Sequence, residues 1–407
     1  MRAPSATPAP LPAAPLPTVH GWCPGALRPM ASGDGWIVRV RPHAGRLTRA
    51  QAAGIARLAA AHGQGTLELT RRANLQLRGV AQGSHPQLLA GLKALGLVDA
   101  DAAAEQRRNI VVTPFGEPGD ATLALACALA SELARALAAP GAPALPAKFG
   151  FAVDCGAAPV LRATPAHVRI ERDSQGLVVR ADRVPLAARA TPQDAVAIAM
   201  ELAHWFARGD AAAPPPRFQP APLPQRTGPR PQPGPVPGGW LVAAAFGQLQ
   251  ADTFARLAEL GALRLTPWRM LLVEGVRSAP ALPGLPGLLT DPADPLLRVV
   301  ACSGAEGCRQ AVGATRPLAR ALAGLVPAHG LLHVSGCSKG CAHAEPTVTL
   351  VATPAGYDLV RHGKASSRPD RHALRADELA SHLACAWNTT TTTQDAPAHD
   401  ATDTPPL

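Results

Sequence analysis

Four cysteines stand in two clusters: Cys302 and Cys308 with five residues between them, and Cys337 and Cys341 with three. Glycines crowd both clusters, Gly304 and Gly307 in the first and Gly336 and Gly340 in the second. Four thiolates on two glycine-rich loops can wrap a cubic [4Fe-4S] cluster, because small neighbours let backbone N–H groups approach the sulfides. The chemistry is then electron transfer. A tetrahedral zinc site uses the same residues, but zinc pairs are usually spaced by two to four residues, and the Cys302–Cys308 gap is wide for that. Disulfides fit less well. No charged-then-apolar leader opens the sequence, and Cys23, Cys127, Cys155 and Cys385 follow no framework spacing.

The elements that must carry these loops occur twice. Gly35-Trp36-Ile37-Val38 opens a strand, a helical stretch follows at 48–61, and Thr70 to Val80 reads as a second strand ending Arg78-Gly79-Val80. Gly239-Trp240-Leu241-Val242, helical residues 251–260 and Thr266 to Val276, ending Glu274-Gly275-Val276, repeat the pattern at identical Thr-to-Val spacing. Beyond these, Arg108–Val112 matches Arg298–Cys302 as a short apolar strand. Periodic helices follow at 121–138 and 314–325, then strands Phe149–Val153 and Leu331–Val334. Strand pairs come next, Val168–Ile170 with Leu177–Val179 and Val348–Leu350 with Tyr357–Leu359, before closing helices near 192–207 and 375–386. The expectation is an α+β fold with pseudo-two-fold symmetry. Only the second half carries the paired cysteines. At the strand starts where they would fall, the first half has Arg108 and Lys148, which predicts a large anionic ligand between cluster and cations.

At 407 residues the chain exceeds one ordinary core, so two or more domains are expected. No apolar run approaches the length that spans a bilayer, and the expectation is a cytoplasmic protein with no membrane partner. A formal charge of +10 favours a polyanionic partner. Aromatic residues make up only 3% and no helix-turn-helix, zinc-finger or stacking signature is present, so nucleic acid is not expected.

From about residue 20 to 387 the chain resembles the sulfite and nitrite reductase superfamily, whose signature is a five-gap cysteine pair followed by a three-gap pair. The resemblance implies a duplicated fold with two ferredoxin-like half-domains, 20–82 and 238–278, and two α/β cluster/tetrapyrrole-type domains, 100–208 and 295–387, the latter holding the [4Fe-4S] cluster. A proline-rich linker at 209–237 and disordered tails at 1–19 and 388–407 complete the division. In that superfamily the last cysteine bridges the cluster to the iron of sirohaem, which here is Cys341. The segment Thr70–Arg78 is similar to the family's Arg-x-x-x-Gln strand, matching Arg72 and Gln76, and strand alternation adds Asn74 and Arg78 to the same face. Arg108-Asn109 resembles its second anion-binding arginine, and Leu145–Gly150 its Leu-Pro-Arg-Lys-Phe-Lys segment, matching Lys148.

Two departures bear on the substrate. Ala147 stands where the family has an arginine and Gly150 where it has a second lysine, and reduction of a small oxyanion needs those cations. The precorrin-3B synthase branch is more similar, in Cys23-Pro24-Gly25-Ala26-Leu27-Arg28-Pro29-Met30, in Gly33-Asp34-Gly35 and in Ser335–His343. That resemblance implies oxygen-dependent hydroxylation of precorrin-3A at C20 with γ-lactone formation, by an iron–sulfur monooxygenase of cobalamin biosynthesis. Arg72, Asn74, Gln76, Arg78, Arg108 and Lys148 would then meet substrate carboxylates, for which arginine suits. It also implies dioxygen, a mononuclear non-haem iron, and an electron donor that is either reduced nicotinamide through a reductase or ferredoxin-like. Cys341, His343 and Asp34 are candidates for that iron, and Lys339 for recruiting the donor. A sirohaem-dependent sulfite or nitrite reductase, with sirohaem retained, is the alternative. A non-enzymatic electron-transfer or redox-sensing module is the third.

Overall fold

The computed structural model describes residues 22–182, 184–209, 214–222, 230–278, 282 and 284–387. They form two compact units, one running from Gly21 to Leu297 and one starting at Arg298. The expected tails, 1–19 and 388–407, lie outside the described residues.

The first unit contains two ferredoxin-like halves that exchange strands. In one half, antiparallel strands Met30–Ser32, Gly35–Val40, Leu75–Val80 and Thr66–Leu69 lie side by side, and the edge is closed by Gln248–Gln250 from the other half. In return, Arg46–Leu47 closes the sheet of Gly234–Val236, Gly239–Ala244, Met270–Glu274 and Leu263–Leu265. The cause is local. Ala44 (φ 50) and Gly45 (φ 67), and likewise Phe246 (φ 58) and Gly247 (φ 79), are left-handed in succession, which turns the chain out of its own sheet. Each crossing strand ends at a helix, Arg49–His62 or Ala251–Leu260. The first helix is fixed by a capping box in which Thr48 and Gln51 exchange hydrogen bonds (3.2 and 3.0 Å). The helices share one core of Leu47, Ile55, Leu67 and Leu77 with Leu249, Phe254, Leu257 and Leu263. Each exchanged strand also covers a sheet edge that would otherwise be open.

The predicted strand from Thr70 to Val80 is shorter, starting at Leu75. Thr70 Oγ1 accepts the N–H groups of Arg72 (3.3 Å) and Asn74 (3.1 Å), and Ala73 is left-handed (φ 51), so 70–74 is a tight turn. The duplicate has the same turn, with Thr266 and left-handed Arg269 (φ 61).

The rest of the first unit is a mixed sheet. Ile110–Val112, Phe151–Asp154 and Val168–Asp173 run parallel, followed by antiparallel Gly176–Ala181, Leu186–Ala190 and Gln219–Pro220. The second unit repeats that order: parallel Val299–Ala301, Leu332–Ser335 and Thr347–Thr353, then antiparallel Gly356–Gly363 and Arg371–Leu374. Helix Ala121–Ala138 was expected as a helix, but by length and composition it is also long and apolar enough to cross a membrane, where no apolar run of that kind was expected. It buries Leu123, Leu129, Leu133 and Leu137 along one face, in one core with Val112, Phe151 and Val153 of the sheet, as a core helix does.

The expected proline-rich linker at 209–237 contains two short sheet strands. Gln219–Pro220 pairs with Leu186–Ala187, and Gly234–Val236 with Gly239–Leu241, while 210–213 and 223–229 lie outside the described residues. Proline lacks the ladder N–H, and both pieces sit at sheet edges where none is needed.

Candidate functional site

The cysteine loops leave the C-terminal ends of two adjacent parallel strands. Cys302 follows Val299–Ala301, and Cys337 follows Leu332–Ser335. Carboxyl ends of parallel strands are where open α/β sheets bind ligands. The loops interlock: Gly336 accepts the Val312 N–H (2.9 Å), Thr315 Oγ1 donates to the Cys302 carbonyl (2.7 Å), and Ser335 Oγ donates to the Cys337 carbonyl (2.7 Å).

Backbone groups already serve the sulfurs. Gly336 N–H donates to Cys302 Sγ at 3.2 Å, and Lys339 N–H donates to the Cys337 thiol. The glycines are needed here. Gly304 (φ 64) and Gly340 (φ 61) are left-handed, and a Cβ on Gly336 would lie 2.5 Å from Ala311 Cβ. Burial pushes the Cys337 thiol above its usual value, against the Lys339 N–H, and Cys302 and Cys308 push it further. Burial also pushes up Cys341, an exposed residue, which Lys339 opposes and the other three thiols reinforce. Thiols raised in this way by burial and by neighbouring sulfurs, as Cys337 and Cys341 are, suit a group that places positive iron among them. The donor set, the N–H contacts and the glycine cradle fit a [4Fe-4S] cluster. Among the described residues no three histidine, cysteine, aspartate or glutamate side chains converge on a position for a single metal ion. His343 lies edge-on to His333 (5.8 Å between ring centres), which is buried in the strand leading to Cys337.

The first unit carries the cationic residues, but not in the arrangement expected. Arg78 grips Asp34 through both lateral nitrogens (Nε 3.0 Å, Nη2 2.9 Å), so neither is offered to a ligand. Arg108 is likewise forked onto Asp99 (2.6 and 2.8 Å) and also donates to the Arg41 carbonyl (2.9 Å). Both arginines serve as internal ties, and Asp34 is the partner of Arg78. Lys148 is exposed, with no hydrogen bond or ion pair among the described residues. Arg108 and Lys148 also precede strands Ile110–Val112 and Phe151–Asp154, whereas the cysteines follow theirs. The correspondence drawn between those cations and the cysteines therefore joins opposite strand ends.

Arg72 sits in the turn before the strand, and its buried Nη1 has no hydrogen-bond partner. Burial lowers its pKa, the Cys23 thiol opposes this, and Arg41 and Arg71 add to it. Gly150 lies beneath it: a Cβ there would fall 3.2 Å from Arg72 Nη1 and 2.8 Å from Asn109 Nδ2. The lysine that the family has at this position would displace both. Asn74 Nδ2 and Asn109 Oδ1 are also buried without partners. Gln76 lies directly across from Arg39 in the sheet and takes its Nε and Nη2 (3.2 and 2.6 Å), while donating to Glu68 (3.3 Å).

Sequence reasoning missed Arg39, Arg41 and Glu105. Glu105, 4% exposed, accepts the N–H groups of Ala26 (2.6 Å) and Leu27 (3.1 Å) and pairs with Arg41 (3.4 Å), fastening the segment that begins at Cys23. A Cβ on Gly25 would come within 2.1 Å of Glu105 Oε2, which explains the glycine. Arg41 is 5% exposed, and burial, with Arg39 beside it, draws its pKa down to about 10. The signal was present in strand parity: Arg39 and Arg41 alternate with the core residues Val38 and Val40.

Residues 28–95 match the family model described as the nitrite/sulfite reductase ferredoxin-like half domain. The chain is similar in fold to the NirA protein of Mycobacterium tuberculosis, with a TM-score of 0.58 at 17% identity, covering 86% of this chain and 79% of that one. It is 30% identical to a precorrin-3B synthase from Sinorhizobium sp over 396 residues, 87% of this chain and 85% of the relative. The duplicated nitrite/sulfite reductase-type fold, the cysteine quartet and that likeness over most of both chains lead to one conclusion: the chain belongs to the precorrin-3B synthase family.

Proposed function

We propose that this chain is an iron–sulfur monooxygenase that hydroxylates precorrin-3A at C20, with dioxygen, and closes a γ-lactone from the ring A acetate in cobalamin biosynthesis. The observation that carries this is the 30% identity to a precorrin-3B synthase across nearly the whole chain. The geometry agrees with it at Gly150, where the space that would hold a small-anion lysine is taken by Arg72 and Asn109. A substrate ringed by acetate and propionate groups needs several arginines set to meet carboxylates, not one dense cationic point.

Cys302, Cys308, Cys337 and Cys341 would hold the [4Fe-4S] cluster, which supplies one-electron transfer when bound. Arg72 and Arg39 bind carboxylate in this account, Gln76 orients Arg39, and Glu105 holds the Cys23 segment beside them. Lys339, exposed beside the cluster loop, favours an acidic electron donor.

Sirohaem content separates this function from the reductase alternative. The protein purified from a host that makes sirohaem is expected to show the broad absorption of an iron–sulfur cluster alone. Stoichiometric sirohaem in the purified protein would refute it.

A further inference from the structure

We propose that residues 309–315 form a brace that locks the two cysteine loops to each other, with Thr315 and Tyr357 as the positioning residues that set how firmly the quartet keeps its cluster. The brace is bonded on both sides. Toward the first cysteine pair, the Ala311 N–H donates to the Cys308 carbonyl (3.1 Å) and the Ala305 N–H donates to the Gly313 carbonyl (3.0 Å). Toward the second, the Val312 N–H donates to the carbonyl of Gly336 (2.9 Å), the residue whose own N–H serves Cys302 Sγ (3.2 Å). Gly336 thus links the brace to a sulfur.

The use made of Thr315 separates this from ordinary loop packing. Thr315 is the N-cap residue of helix Arg316–Leu322, yet its side chain accepts no N–H of that helix. Its hydroxyl, in a residue 1% exposed, donates instead to the Cys302 carbonyl (2.7 Å). At the same place in the repeat, Asp120 caps helix Ala121–Ala138 in the ordinary way, accepting the N–H groups of Thr122 (2.7 Å) and Leu123 (3.0 Å). Leaving an N-cap unmade costs a helix stability, so the capping bond has been traded for a hold on the Cys302 loop. Tyr357, the chain's one tyrosine, follows the same logic: its hydroxyl donates to the Ala314 carbonyl (3.2 Å) and ties the brace to the sheet hairpin. It stands opposite Ala352 in that hairpin as Leu177 stands opposite Arg172 in the repeat, and Leu177 is a core residue with no hydroxyl. The repeat's connection, 113–120, is also shorter than 302–315 and has no cysteine. At these two positions, the bonding hydroxyls belong to the copy that carries the quartet. The brace rests on the quartet holding a [4Fe-4S] cluster and is independent of the substrate. Iron leaves when the cysteine loops part, so each bond removed from the brace speeds that local opening.

The test is anaerobic release of iron from the intact holoprotein to bathophenanthroline disulfonate, set beside the denaturant midpoint of each variant after iron removal. Thr315→Val is expected to release iron about 5-fold faster than wild type, the factor one net hydrogen bond supplies, and Tyr357→Phe should also be faster. Thr315→Ser, which keeps the hydroxyl, should stay close to wild type. Because no cap is removed, the iron-free midpoint of Thr315→Val should match wild type, whereas loss of a helix-capping threonine would lower it. Dye-mediated titration gives a second readout. The cluster's reduction potential should move negative in Thr315→Val, since a slackened Gly336 N–H stabilises the reduced sulfurs less, and should return in Thr315→Ser. Release from Thr315→Val at the wild-type rate, or equally fast release from Thr315→Val and Thr315→Ser, would overturn the brace. Tyr357→Phe, at a half-buried position, serves if Thr315→Val does not fold, and a wild-type rate there would overturn it equally. Wild-type protein that holds no iron and sulfide would overturn the cluster assignment and the brace together, while a cluster indifferent to both hydroxyls overturns the brace alone.

Discussion

Arg78 and Asp34 face each other as a two-point ion pair, with Nε–Oδ2 at 3.0 Å and Nη2–Oδ1 at 2.9 Å, both side chains at least nine-tenths buried. The pair ties strand Leu75–Val80 to the turn after Met30–Ser32, the edge strand of the sheet.

Removing one partner of such a pair strands the other charge. Asp34→Ala is expected to destabilise the fold by about 3–5 kcal/mol, read from denaturant midpoints at constant slope. The double change with Arg78→Met should recover much of that loss. Iron content per folded chain should be unaffected, and a loss of iron in the stable double variant would restore Asp34 as a metal ligand.

Arg72 and Arg108 should part company under substitution. Arg108→Ala leaves Asp99 without its fork and is expected to cost about 3 kcal/mol of stability. Arg72→Ala removes a buried donor that has no partner, so stability should change by less than about 1 kcal/mol. Affinity for a polycarboxylated tetrapyrrole should fall roughly 10-fold or more in Arg72→Ala, since a hydrogen bond to a charged group contributes about 1.5–3 kcal/mol. Titration by fluorescence quenching checks both variants, and equal affinities in wild type and Arg72→Ala would contradict the role given to Arg72.

Gly336→Ala places a Cβ 2.5 Å from Ala311 Cβ, and the loop must shift away from Cys302 Sγ to relieve it. Iron and acid-labile sulfide per chain should both drop, while far-ultraviolet circular dichroism stays close to wild type. Full cluster content in this variant would contradict the cradle.

Glu117 gives the fold's pH dependence an exposed element with a clear sign. Arg277, with the Gly238 N–H, holds the Glu117 carboxyl down at about 2 from its ordinary 4.5. A lowered acid contributes stability that is complete above the ordinary value and is lost as pH falls toward the lowered one. The difference in denaturation midpoint between wild type and Glu117→Gln should therefore narrow from pH 6 to pH 3. A difference that stays constant across that range would contradict it.

Much of this was legible in the chain because periodicity and spacing report local structure directly. The repeat from Gly35 and from Gly239, and the helix at 121–138, follow from apolar pattern alone, and each has its element in the structure. The exchange of Arg46–Leu47 and Gln248–Gln250 was not legible, because which sheet a short strand joins depends on two left-handed residues before it, not on its own side chains. Thr70 looked like strand by propensity, but its hydroxyl closes a turn. The cations were legible by type but not by partner: a sequence shows Arg78 and Arg108 as charges, while only packing shows Asp34 and Asp99 holding them.

The most direct measurement is incubation of the holoprotein with precorrin-3A, a reductant and isotopically labelled dioxygen, followed by mass analysis of the product. One labelled oxygen atom gained by the tetrapyrrole, and none gained with Cys341→Ser, is the expected result. An unlabelled product, or turnover that persists undiminished without dioxygen, would contradict the monooxygenase function.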